Sequence, residues 1–238
     1  MVHNMIKSFL MIGQSNMAGR GRLNEVEAIS DPRLLMQRNC KWQPLCEPVN
    51  YDRPFAGISL ATSFVNCYIQ DHPEEEAALI PCADGGTGMD EWAKGGVLYE
   101  HAVFCAKQAM RTSILTAILW HQGEHDSCAE LANSYAEKFI TFIRQLQEDI
   151  GVSVPVIVGQ VPLEFFSSDP QVRQYAGIVN QQLRSVAEQL PDVYYVSAKG
   201  AASNGDELHI DANSLRTFGQ RYYEAFAKKV SIFDADIL

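Results

Sequence analysis

An α/β fold, with a parallel sheet covered by helices on both faces, is what this sequence predicts, and three observations carry the expectation. Short β-branched or apolar runs alternate with longer amphipathic ones, the pattern of strands and crossover helices. The chain has 238 residues, a length that at roughly 150 residues per domain suits one generous domain over 1–238 better than two cramped ones. With 47% apolar and 20% charged residues, and 16 Gly and 10 Pro that form no repeat, the chain has the composition of a globule with a real core. Disorder, collagen and coiled coil are thereby excluded.

Along the chain, the first strand is expected at 8–12, an apolar run that ends at Gly13. Residues 19–57 hold Pro32, Pro44, Pro48 and Pro54 and show no periodicity, so they predict a long excursion over the carboxyl edge of the sheet. Continuous apolar runs at 77–82, 114–120, 154–161 and 193–197 predict four more strands. Between them 60–70, 98–110, 129–150, 172–188 and 215–230 carry apolar residues at three- and four-residue steps, as helices with one buried face do.

The formal charge of −10 disfavours a broad cationic surface, and with it nucleic acid or anionic lipid as a partner. No stretch approaches the ~20 apolar residues of a membrane span, and the apolar run at 9–12 is too short for a signal sequence, so a cytoplasmic location is expected. Six cysteines, Cys40, Cys46, Cys67, Cys82, Cys105 and Cys128, form no CxxC pair. They predict reduced, mostly buried thiols without a disulfide or a zinc cluster.

Ligands of open α/β sheets bind beyond the carboxyl ends of the strands, so the chemistry is sought there. After the first strand, Ser15 stands at a strand-to-helix turn, where its hydroxyl is presented beside unpaired backbone donors; a plain helix cap is the alternative. After the second come Gly85 and Gly86, which let backbone N–H groups approach a ligand but lack the lysine of a phosphate loop. The third strand runs into His121, Gln122, Gly123, Glu124, His125 and Asp126. Taken literally, HQGEH fits the HxxEH pattern of zinc proteases, but that pattern needs a helix and this block continues a β-like run. Near the end, Asp206 precedes His209 by three residues, a spacing at which a carboxylate holds one ring nitrogen and leaves the other free. A serine, a glycine loop, an amide and an Asp/His pair are together the parts of an acyl-transfer centre.

These blocks resemble, in order, those of carbohydrate esterase family six and the sialate O-acetylesterase group of the SGNH hydrolase superfamily: GQSNMAG at 13–19, GGT with the following Trp92, WHQGE at 120–124, and DxxH with LRTFGQRY downstream. The resemblance implies a three-layer α/β/α sandwich with a flavodoxin-like five-stranded parallel sheet, and removal of O-acetyl groups from an acetylated sugar or oligosaccharide without metal or cofactor. It assigns Ser15 as nucleophile, His209 as general base and Asp206 as the acid behind it, preferred to Glu124, which some relatives use. Ser15 N–H, Gly86 N–H and the Gln122 amide match the oxyanion donors, with Gln14, Asn16 and Trp92 as substrate contacts. Gln122 stands where the wider superfamily has asparagine, and His125 where many relatives have serine. Trp42, Tyr51, Phe165 and Phe166, in or near loops, are further candidate faces for a sugar ring, whereas Trp120 is expected in the core. The competing readings are a metal-dependent hydrolase using His121, Glu124 and His125, and a carbohydrate-binding module without turnover.

Overall fold

Each of the five runs expected as strands lies on a strand of the computed structural model, which describes residues 5–237. Among the described residues there are seven strands, β1 (Ile6–Gly13), β2 (Leu34–Arg38), β3 (Lys41–Pro44), β4 (Ala77–Pro81), β5 (Ser113–His121), β6 (Val156–Gly159) and β7 (Val193–Val196), in the order β3-β2-β4-β1-β5-β6-β7. The five expected strands are therefore ordered 2-1-3-4-5 by appearance, the flavodoxin-like order, and all pair in parallel.

Two strands were not expected. The sheet is seven-stranded because 34–44 forms a hairpin whose first strand pairs in parallel with β4 and whose second runs antiparallel along the edge. Its two turn residues, Asn39 and Cys40, both have positive φ (51° and 59°), the requirement of a tight hairpin turn usually met by Asn-Gly. Without that glycine, and with Pro44 tolerated only because β3 is an edge, the segment looks like a loop.

Helices α1 (Ser15–Ala18), α2 (Leu60–Asp71), α3 (Val97–Ala109), α4 (Tyr135–Ile150), α5 (Pro170–Gln189) and α6 (Ala212–Lys228) complete the layers. Strand alternation divides them. Phe9 and Met11 of β1 face α2 and α6, whereas Leu10 and Ile12 face α3, α4 and α5. On the first face Phe9 meets Phe64 and Tyr68 edge-on, with centroids 5.1 and 5.0 Å apart. On the second Trp120 packs on Trp92, Phe139 and Phe142 at 5.5, 5.4 and 5.1 Å. Side-chain caps set the helix starts: Ser59 accepts from Ala61 N–H before α2, and Asp211 from Ser214 N–H before α6.

The expectation of mostly buried thiols is corrected. Cys82 and Cys105 are buried, Cys67 and Cys128 half-buried, and Cys40 and Cys46 exposed, the last two because they lie on the hairpin and the loop that leaves it. All six are free. No described helix is long and apolar enough to cross a membrane.

Candidate active site

At the sheet's switch point β1 has β4 on one side and β5 on the other, so the loops after these three strands face one crevice. Gly13 makes the exit from β1 tight: its φ is +126°, and a Cβ there would lie 2.1 Å from the His121 carbonyl oxygen. Gln14 N–H then bonds His121 O, and the chain turns into α1 with Ser15 as its first residue. Met17 and Ala18 donate to Gln14 O. The Ser15 and Asn16 N–H groups have no acceptor among the described residues, as at any helix start.

The glycine loop is braced against this turn. A Cβ on Gly85 would stand 3.4 Å from Ser15 Cβ. Asn50 bonds Ala83 through both its amide atoms (2.9 and 3.0 Å), and Asp52 Oδ2 accepts the Gly85 N–H (2.8 Å). Arg20 donates to both Asp52 oxygens at 3.1 and 2.6 Å, each side chain being 4% exposed, and Arg53 donates to Asp84 and to Gly85 O. One residue on, Gly86 (φ +82°) is exposed, and its N–H has no partner among the described residues.

From the far end of the chain, Asp206 shapes the turn that presents His209. Its Oδ1 accepts the Leu208 and His209 N–H groups, and its Oδ2 accepts His209 Nδ1–H at 2.6 Å. Burial pushes the Asp206 carboxyl up, but the hydrogen bonds from His209 and Leu208 outweigh it and hold the group below the ordinary carboxylate range. The other ring nitrogen, Nε2, lies 3.0 Å from Ser15 Oγ. With Nδ1 protonated toward Asp206, Nε2 offers its lone pair to the Ser15 hydroxyl, an arrangement able to take up that proton.

Glu124 lies elsewhere. Its Oε1 accepts from Asn16 Nδ2 (2.5 Å) and sits 3.2 Å from His121 Nε2, so its partners are those two residues and not His209. Burial raises its pKa, and attraction to His121 with hydrogen bonds from His121 and Asn16 reverses that, leaving it below its ordinary value. Asn16 does not face a substrate. Its Nδ2 also donates to Leu208 O, and its Oδ1 accepts from Ile210 N–H, so it grips the backbone on both sides of His209.

Two further expectations need correction. Gln122 is fully buried, and its Nε2 faces Gln14 Oε1 (3.1 Å), Thr87 O (3.2 Å) and Asp126 Oδ2 (2.6 Å), so both amide hydrogens are engaged within the protein. That amide ties three loops together, and Ser15 N–H and Gly86 N–H are left as donors. Trp92 is fully buried on Trp120 and Phe142, with its Nε1 on Thr87 Oγ1, and presents no face to a sugar. Gln14 likewise accepts through Oε1 from Gln122 and His125 N–H, but its Nε2 carries no partner among the described residues. The residues of the zinc pattern do not converge: His121 and Glu124 pair in the interior, while the half-exposed His125 ring lies 3.7 Å from Asp126.

Of the loop aromatics, Phe166 is buried and Phe165 and Trp42 pack partly on the core, whereas Tyr51 is 69% exposed. Sequence reasoning missed Phe55, 68% exposed, with the Arg20 guanidinium 5.3 Å from its ring, and also the bracing set Arg20, Asn50, Asp52 and Arg53. Charged residues in a loop without periodicity were the available signal, since such a loop carries charge cheaply only at its surface or in pairs.

With this geometry in place, comparison with known proteins identifies the class. A family model described as carbohydrate esterase, sialic acid-specific acetylesterase, matches residues 5–228. The chain belongs to that family and is a carbohydrate acetylesterase. A probable carbohydrate esterase of Arabidopsis thaliana is 27% identical over 243 residues, covering 92% of this chain and 89% of the relative. The crystal structure of an Arabidopsis thaliana protein superposes with a TM-score of 0.84 at 24% identity, over 94% of this chain and 99% of that one. NanS superposes at 0.76 with 15% identity, over 94% and 97% of the two chains. An acetyl xylan esterase from Geobacillus stearothermophilus gives 0.53 with 14% identity, over 95% and 96%. These superpositions share the fold.

Proposed function

We propose that Ser15, His209 and Asp206 are the catalytic triad by which this esterase removes acetyl groups from sugar hydroxyls. The 3.0 Å contact between Ser15 Oγ and His209 Nε2, with Asp206 2.6 Å from the other ring nitrogen, carries the reading. His209 takes the Ser15 proton as Oγ attacks the acetyl carbonyl, and Asp206 stabilises the imidazolium that forms. Ser15 N–H and Gly86 N–H receive the developing oxyanion. His209 then protonates the departing sugar oxygen, and water repeats the sequence on the acetyl-enzyme to release acetate.

The exposed rings of Tyr51 and Phe55, on the loop that carries Asp52, replace Trp92 as faces for a sugar, and Gln14 Nε2 is the free side-chain donor beside Ser15. Six free cysteines support a reducing compartment, and we place the protein in the cytoplasm. Hydrolysis of p-nitrophenyl acetate, covalent labelling by a fluorophosphonate and loss of both in Ser15→Ala are the expected results. An unlabelled wild type, or a Ser15→Ala chain that turns over normally, removes the triad. Acetate release from O-acetylated sialic acid against acetylated xylo-oligosaccharide then assigns the sugar.

A further inference from the structure

A second cluster of reactive side chains lies outside the acyl-transfer centre. Cys82 directly follows β4, and α3 presents His101 and Cys105 four residues apart, one above the other on the face turned toward it. His101 Nε2 is 3.6 Å from Cys105 Sγ, and one ligand atom from each of the three residues lies within 4.8 Å of the other two. Cys82 and Cys105 are buried, His101 is exposed, and all three line a cavity of about 480 Å³ between the β2–β3 hairpin and α3. The esterase reaction uses none of them.

We propose that Cys82, His101 and Cys105 form a binding site for a zinc-class divalent ion, with two sulfur ligands, one imidazole ligand and a fourth position open to the cavity. Tetrahedral zinc, with Zn–S near ~2.3 Å and Zn–N near ~2.0 Å, sets its ligand atoms roughly 3.5–3.8 Å apart, which these three reach with small side-chain rotations. Two sulfurs and a nitrogen suit a borderline-soft ion and not magnesium or calcium. Binding replaces the two thiol protons, which pass to solvent, so affinity rises with pH. The ion joins the carboxyl end of β4 to α3, two residues before Asp84 and the glycine loop. An ion that binds only the folded chain raises its melting temperature.

The test uses the full chain, reduced and stripped with a chelator, then titrated with Co²⁺ and afterwards with Zn²⁺. One equivalent of Co²⁺ is expected to give a thiolate-to-cobalt charge-transfer band with tetrahedral visible absorption, and Zn²⁺ to abolish it while raising the melting temperature. The band should vanish in the Cys82→Ser/Cys105→Ser double variant, weaken about tenfold or more in affinity in His101→Gln, and persist in Cys40→Ser/Cys46→Ser. Absence of the band in reduced wild type, or its persistence in the double variant, overturns the site. Should the double variant fail to fold, alkylation of the wild type decides. Zn²⁺ should protect Cys105 and leave Cys46 unprotected; equal rates at Cys105 with and without Zn²⁺ overturn the proposal, as does a Cys82–Cys105 disulfide whose reduction restores no Zn²⁺ binding.

Discussion

Two histidine–carboxylate pairs flank Asn16, each with its partners three residues apart in the chain: His121 with Glu124, and Asp206 with His209. The first is enclosed, its side chains 0% and 1% exposed, and among the described residues the other nitrogen of His121 meets only the Tyr222 hydroxyl, at 3.5 Å. The second pair stands at the rim, with His209 15% and Asp206 47% exposed, and its free nitrogen meets Ser15. Both join a histidine to a carboxylate three residues away, with glutamate after the histidine in the first and aspartate before it in the second. What differs is the group facing the spare nitrogen and whether a substrate can reach it. Asn16 connects the pairs: its Nδ2 donates to Glu124 and to Leu208 O, and its Oδ1 accepts from Ile210 N–H. On the proposed mechanism, the buried pair acts through the position of Asn16 and His209.

The largest expected effect separates the two directly. Asp206→Asn should lower kcat by about 10²- to 10⁴-fold, since an amide cannot hold the imidazole in the right tautomer or balance its charge, while the melting temperature moves little. Glu124→Gln should lower kcat far less and the melting temperature more, because the change is made in the interior. Equal losses of kcat would erase the distinction between the pairs.

Next in size is the connector. Asn16→Ala removes three hydrogen bonds at once, leaving Glu124 Oε1 with His121 alone and two backbone groups beside His209 without partners. A drop of roughly 10- to 100-fold in kcat at nearly constant KM is expected, since a small misplacement of a catalytic group has effects on this scale. Faster hydrogen exchange through 206–210 should accompany it. A change in KM alone would make Asn16 a substrate contact after all.

Gln122→Ala should be milder, about tenfold or less in kcat, because the amide organises Gln14, Thr87 and Asp126 and does not face the oxyanion. Losing a true oxyanion donor removes about 10²- to 10³-fold, and a loss of that size would return Gln122 to that role.

The same comparison shows what the sequence could reveal. The five parallel strands were legible because each is a buried apolar run, and the Ser15, Asp206 and His209 positions because strand ends and a three-residue turn fix them locally. The hairpin at 34–44 was hidden, since its turn is made by Asn39 and Cys40 without a glycine and its second strand is polar and carries a proline. Trp92 was misplaced because chain position near a glycine loop says nothing of which way a side chain turns. The Asn16 amide is aimed by partners more than 100 residues away, Glu124, Leu208 and Ile210, and the Gln122 amide by Gln14 and Thr87 on other loops as well as by Asp126 four residues on. No local pattern encodes such contacts.

The smallest effect concerns stability against pH. Glu124 and Asp206 are both held below their ordinary values, Glu124 because His121 and Asn16 outweigh its burial, Asp206 because hydrogen bonds from His209 and Leu208 do. Each then stabilises the fold fully above the unfolded carboxylate range, near about 4, and loses that contribution as pH falls through its lower folded value. Asp126 has the opposite sign. Burial holds it above its ordinary value, so acidification relieves a penalty before the other two begin to lose ground. Urea unfolding from pH 7 to 3 should accordingly show a shallower acid loss in Glu124→Gln and in Asp206→Asn, and a steeper one in Asp126→Asn. Salt divides the first two. Screening reaches the half-exposed Asp206 and not the enclosed Glu124, so raising ionic strength should shrink the difference made by Asp206→Asn and leave that made by Glu124→Gln in place. Equal salt sensitivity would mean that water enters the His121–Glu124 pair as freely as the rim, and the contrast between the two pairs would then need another cause than access.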